Sequence, residues 1–137
     1  MQLNTYLNFN GNCEEAFRFY ERVLGGKIVA MMSHEGTPAE PHVSAEWKKK
    51  IMHARLIADN QVLMASDAPP DRFLQPQGFS VNISVKDPAE ADRIYAALAE
   101  GGKVQMAIQE TFWAYRFGAV VDRFGTPWMI NCEKAMS

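Results

Sequence analysis

The chain nearly repeats itself, and that constrains its fold more than any other feature. Residues 3–32 and 79–108 share one layout: an alternating strand, a capped helix, a double glycine and a second apolar strand. LNTYLNF leads to Asn12, Glu15, Ala16, Tyr20 and Val23, then Gly25-Gly26-Lys27. FSVNISV leads to Asp87, Glu90, Ala91, Tyr95 and Leu98, then Gly101-Gly102-Lys103. The helix starts, Asn12 and Asp87, are offset by 75 residues, and the glycine pairs by 76. One residue gained near Asn10-Gly11 and one lost at the helix end account for the difference. Two long copies do not make a solenoid. They predict two similar modules in one domain over residues 1–137, with a ligand site between them.

Each module reads as strand, helix and three strands. In the first, Leu3, Leu7 and Phe9 fall on one face of a strand, and Asn4, Tyr6 and Asn8 on the other. Asn12 with Glu15 has the capping-box pattern. Cys13, Ala16, Phe17, Tyr20, Val23 and Leu24 make the buried helical stripe, and Gly25 or Gly26 supplies the left-handed stop. Strands are expected at 27–33, 52–58 and 61–66, the last two joined by a turn at Asp59-Asn60. The polar stretch 34–50, with Pro38, Pro41, Gly36 and three consecutive lysines, reads as a mobile connection without a core; Trp47 there suits a solvated loop or an oligomer contact.

The second module, about 78–137, follows a linker at 69–77; the first is about 1–68. Phe79, Val81, Ile83 and Val85 alternate with Ser80, Asn82 and Ser84. Asp87 caps a helix with Pro88 at its first position and a stripe of Ala91, Ile94, Tyr95 and Leu98. Strands are expected at 103–109, 115–121 and 127–133. The result is an α+β chain of two βαβββ modules. Their strands form a curved mixed sheet with the helices on its outer face. The inner face is polar at Asn4, Tyr6, Asn8, Ser80, Asn82 and Ser84, which suits either a solvated surface or a ligand cavity.

Bulk properties narrow the function classes. Fourteen Lys and Arg against 16 Asp and Glu give a net charge of −2, so nothing favours nucleic acid or an anionic membrane surface. No apolar run approaches a membrane span, and the first residues lack the build of a signal peptide, so a cytoplasmic location is expected. Cys13 and Cys132 read as small core residues rather than a disulfide framework.

Several motifs carry a resemblance. They are Phe9-x-Gly11-Asn12-Cys13-x-x-Ala16-x-x-Phe19-Tyr20, His53-Ala54, Leu63-Met64-x-Ser66-Asp67-Ala68, and the stretch from Gln109-Glu110-Thr111-Phe112-Trp113 through Phe117-Gly118, Asp122, Phe124-Gly125 and Pro127-Trp128 to Ile130-Asn131. On these residues the chain resembles the PhnB-like branch of the vicinal oxygen chelate superfamily, which includes glyoxalase I, bleomycin-resistance proteins and extradiol dioxygenases. The resemblance implies the glyoxalase-like fold. Some members of that branch bear the name of a ubiquinone-related methyltransferase. Here no glycine-rich turn follows a strand and opens a helix, and 137 residues leave no room for a doubly wound nucleotide domain beside the repeats.

The resemblance also implies a divalent metal held by His, Gln and Glu in catalytic members. The corresponding positions here are Asn4 (or Thr5), Met64, Ser80 and Met129, a poor donor set, so no metal and no other cofactor is expected. The leading expectation is a cytoplasmic homodimer that binds a small, partly apolar organic molecule through Tyr6, Asn8, His53, Arg55, Asn82, Trp113 and Arg116. Two alternatives stay open. One is an enzyme: a metal-dependent lyase, isomerase or dioxygenase, or a metal-free acid/base catalyst using His53 or Glu110. The other is a sequestering resistance protein. Glu110 suits an acid/base role or a partner for Arg116, Asp67 suits turn capping, and Phe112, Phe117 and Trp128 suit the core.

Overall fold

The computed structural model describes residues 1–135, and the chain divides into two compact units, Met1–Leu74 and Gln75–Ser137. The first holds β1 (Thr5–Phe9), α1 (Cys13–Leu24), β2 (Lys27–Ser33), β3 (Ile51–Ala58) and β4 (Gln61–Asp67). The second holds β5 (Val81–Ser84), α2 (Pro88–Ala99), β6 (Lys103–Gln109), β7 (Ala114–Val121) and β8 (Pro127–Glu133). Each unit is the βαβββ module that the repeat predicts. The sheets run β1-β4-β3-β2 and β5-β8-β7-β6. In each, the first strand lies parallel to the last, and the other pairs are antiparallel.

The apolar period explains how each helix lies on its sheet. On α1, Cys13, Ala16, Phe17, Phe19, Tyr20 and Val23 are buried, and Phe9 of β1 meets Phe17 nearly edge-on at 6.3 Å. Leu7, Ala54, Leu56 and Ala65 complete that core from the strands. In the second unit, Ala91, Ile94, Tyr95 and Leu98 of α2 are buried, as are Val120, Trp128 and Ile130 of the sheet. Cys13 and Cys132 are free and buried, in keeping with core roles.

The double glycines divide two jobs. Gly25 and Gly101 are left-handed, at φ +67° and +72°; Gly25 ends α1, whereas α2 ends at the extended Glu100 and Gly101 sits in the turn that follows. Gly26 and Gly102 are not left-handed but touch backbone. A Cβ on Gly26 would lie 2.7 Å from the Ile57 carbonyl oxygen, and one on Gly102 would meet the Val121 carbonyl. The alternative of Gly26 as the stop is therefore corrected to Gly25.

Other expectations change in detail. Leu3 lies before β1 and is exposed, because the strand begins only where pairing to β4 begins, at Thr5. β3 starts at Ile51 and β4 runs on to Asp67, while β5 is shorter than expected and leaves Phe79 half-exposed. The start of α1 has no cap from the Asn12 side chain. The Asp67 carboxylate supplies it from β4, accepting from the Gly11 and Cys13 N–H groups at 3.0 and 2.9 Å and from Ile51 N–H at 2.9 Å. At α2 the expected cap forms, with Asp87 accepting from Ala89 N–H at 3.0 Å. Asp59 and Asn60 both take positive φ, as a tight hairpin turn requires.

The 34–50 connection is more tied down than its composition suggests. It contains a short 3₁₀ turn at Glu40–His42, and His34 Nδ1 contacts the Lys50 carbonyl at 3.0 Å. Lys50 Nζ donates to the Gly11 carbonyl at 2.9 Å and lies 5.9 Å from the Trp47 ring centre. Trp47 is therefore partly covered, with its Nε1 buried, rather than a solvated side chain.

Candidate functional site

The face of the first sheet turned away from α1 is built by strand alternation. Leu7 and Phe9 bury toward the helix, so Tyr6 and Asn8 point the other way and are exposed. The same logic places His53 and Arg55 opposite the buried Ala54 and Leu56. Register then sets neighbours. Ala30, Arg55, Met64 and Tyr6 lie across β2, β3, β4 and β1 as successive partners. One step along the strands, Met32 pairs with His53, and Ser66 with Asn8. The Tyr6 and His53 rings are 6.2 Å apart at 30°. Four of the expected ligand-binding residues therefore share one face. Ser66 and Met32 join them; the period of two within β4 and β2 marks both.

This face mixes polar and apolar groups: the central strands carry Met64 and Ser66 on β4 and His53 and Arg55 on β3, and the edge strands add Tyr6 and Asn8 on β1 and Ala30 and Met32 on β2. Met64 is partly buried between Arg55 and Tyr6, and Met32 is 46% exposed. Thioether side chains are polarizable and adapt to varied shapes. His53 offers one N–H donor and one acceptor in its neutral form, in either tautomer.

The second unit distributes its candidates differently. Asn82 and Ser84 are exposed on β5, and Asn82 Nδ2 donates to Ser84 Oγ at 2.9 Å. Met129 is the register partner of Asn82, and Asn131 of Ser84 and Phe117. Asn131 is 92% buried; its Nδ2 donates to Glu133 Oε1, and its Oδ1 has no partner among the described residues.

Trp113 packs between Phe112 and Phe117, edge-on at 4.9 and 5.3 Å. Phe112 itself is 89% exposed, which corrects its expected place in the core; it lies in the connection between β6 and β7, outside the strand pairing. Trp128 is core as expected, and its Nε1 donates to the buried Asp122 at 2.8 Å. Asp122 also accepts from Phe124 and Thr126 N–H and fixes the β7–β8 turn, much as Asp67 fixes the start of α1.

Arg116 is held by Asp92 of α2 at 2.9 Å and turns Nη1 to the Tyr115 carbonyl. Glu110 does not pair with Arg116; its partner is Lys134, at 2.7 Å. That ammonium holds the exposed Glu110 carboxyl below its ordinary range, which makes it a weaker base. Burial, and then the charges of Asp67 and Glu14, push the Cys13 thiol well above its usual range, so it is no nucleophile.

A separate cavity of about 410 Å³ opens at the start of α1, lined by Asn12, Glu14, Arg18, Lys49, Lys50 and Asp67 among others. Several of its polar groups are already engaged: Asp67 accepts from the Gly11 and Cys13 N–H groups, Lys50 donates to the Gly11 carbonyl, and Arg18 pairs with Glu14.

The metal implied by the resemblance does not fit the residues present. Asn4 and Ser80 precede β1 and β5, Thr5 pairs with Leu63, and Met64 and Met129 lie opposite Tyr6 and Asn82. Amide, hydroxyl and thioether groups are poor substitutes for imidazole and carboxylate at such an ion. Among the described residues no three His, Cys, Asp or Glu side chains converge in a way that could hold one. Among the same residues no helix is long and apolar enough to cross a membrane.

Known proteins agree with this architecture. The family model described as 3-demethylubiquinone-9 3-methyltransferase matches residues 1–131. The chain is 38% identical to protein YjdN of Escherichia coli K12 over 142 residues, covering 98% of this chain and 97% of that one. The crystal structure of protein PA1353 from Pseudomonas aeruginosa superposes with a TM-score of 0.89 at 48% identity, covering 98% of this chain and 99% of that one. A PhnB protein from Bacillus cereus shares the fold at TM-score 0.81 and 22% identity, covering 96% and 98%. The chain belongs to the 3-demethylubiquinone-9 3-methyltransferase family.

Proposed function

We propose that this protein binds a small, partly apolar organic molecule without a catalytic metal, and that it does so as a homodimer. The observation that carries the reading is the face formed by Tyr6, Met64, Arg55 and His53: an aromatic ring, a flexible thioether and two polar heads in adjacent register. A few placed polar groups around an apolar floor are what small-ligand recognition needs. The donor set at Asn4, Met64, Ser80 and Met129 supports the metal-free part. The exposed Phe112, Trp113 and Tyr115 support a subunit contact. Methyl transfer, which the family's description names, is outside the proposal. Each sheet has a single parallel pair, unlike the largely parallel doubly wound sheet of nucleotide-binding domains.

The test is a thermal-shift screen of small organic compounds on the purified chain, with elemental analysis of the same sample. Compounds that raise the midpoint are expected, and Tyr6→Ala combined with Met64→Asp should abolish the rise. A stoichiometric divalent ion surviving dialysis would overturn the metal-free reading and favour the metalloenzyme instead.

A further inference from the structure

Arg55 stands apart from the other arginines of the chain. Arg18, Arg93 and Arg116 pair with Glu14, Glu90 and Asp92. Arg22 lies over the Phe19 ring and Arg123 over Phe124. Arg72 is exposed and meets its charge in water. Arg55 is partly buried, and among the described residues no carboxylate lies within 4.0 Å of its guanidinium.

No acid on its own sheet faces it. Asp67 is the one acidic residue in the four strands of the first unit, and it points to the helix side, where Gly11, Cys13 and Ile51 N–H groups occupy its oxygens. The immediate partners of Arg55, Ala30 and Met64, carry no charge. His53 stands two residues along the same strand, about 7 Å away at the usual strand rise, and adds an N–H donor. A guanidinium partly removed from water is stabilised when an anion completes it, and its planar fork matches a carboxylate or phosphoryl group with two parallel hydrogen bonds.

We infer that Arg55, with His53 beside it, is an anion-binding subsite, so that the ligand is a small organic anion carrying a carboxylate or phosphoryl group. The anionic head sits at Arg55 and His53, and the apolar body lies over Met64 and the Tyr6 ring. This rests on reading that face as the binding surface, and it adds the charge class of the ligand.

The experiment uses three probes of one shape on the whole chain: benzoate, phenylphosphonate and neutral benzamide. Affinities are measured by isothermal titration calorimetry. At least one anion should bind roughly tenfold or more tightly than benzamide, the scale of a charge-assisted hydrogen bond. Which anion wins tells carboxylate from phosphoryl ligands. Arg55→Gln should erase that preference, so that the anions bind no more tightly than benzamide does to the same variant. Arg55→Lys, which keeps the charge and loses the fork, should retain part of it. Circular dichroism and the thermal midpoint check that both variants fold. If anion and neutral probe bind equally, or if Arg55→Gln keeps the preference, the subsite is refuted and the binding face survives. If no probe binds the wild-type chain, both fall.

Discussion

The Asp67 carboxylate at the end of β4 accepts a 2.9 Å hydrogen bond from the backbone N–H of Cys13, 54 residues earlier in the chain. With its bonds to Gly11 and Ile51, it ties the start of α1 to two strands. Asp67→Ala would strand three N–H groups, two of them in buried bonds. A loss of roughly 3 kcal/mol in urea unfolding is expected. Asp67→Asn turns an NH₂ toward at least one of those donors and should recover only part of the loss. A variant as stable as wild type would show that the carboxylate is dispensable.

The paired glycines should respond differently to the same substitution. Gly25→Val places a β-branched residue at φ +67° and should cost about 1–2 kcal/mol. Gly26→Val drives its side chain into the Ile57 carbonyl and should cost roughly 3 kcal/mol. Thermal midpoints of the two variants decide the order, and a smaller drop for Gly26→Val would contradict the close approach.

Cys13 should be inert to thiol reagents in the native state. It is fully buried, and its proton is held by burial and by the nearby charges of Asp67 and Glu14. Its folded pKa is raised, so the thiol form persists through the pH range in which a free cysteine ionises, and alkaline pH favours unfolding where it releases the proton. An Ellman assay at pH 8 should give no titre from Cys13 until denaturant is added. Rapid native labelling of Cys13 would show that its helix opens readily.

A mass of twice 15.4 kDa is expected in light scattering at micromolar concentration. The segment with Phe112, Trp113 and Tyr115 is the place to break it. Replacing Phe112 and Trp113 with serine should shift the mass toward the monomer. A monomer for the wild-type chain across a dilution series would end the dimer proposal.

The modules were legible because a repeated apolar period and repeated glycines state the same plan twice. The helix stripes and strand faces followed from spacing alone. What stayed hidden depended on distant pairing. Asn12 has the residue type of a cap, but the carboxylate that caps α1 comes from β4, which no local pattern reveals. Asn131 and Asp122 are buried polar residues whose roles need the β7–β8 register to see. Glu110 and Arg116 are six residues apart in sequence and look like natural partners, yet Lys134 and Asp92 claim them from other elements. At Arg55, strand alternation gave the face, and only the described structure showed that no carboxylate answers it there.

The parallel pairing of β1 with β4 also sets an order of events during synthesis. Thr5 finds its partner in Leu63, so the first strand emerging from the ribosome has no sheet to join until its module is nearly finished. Until β4 has been made, β1 has no strand to pair with. Asp67, the last residue of β4, reaches Gly11 and Cys13 only at that moment. The same constraint recurs at β5 and β8, so each half of the chain waits for its own final strand before its first one is secured.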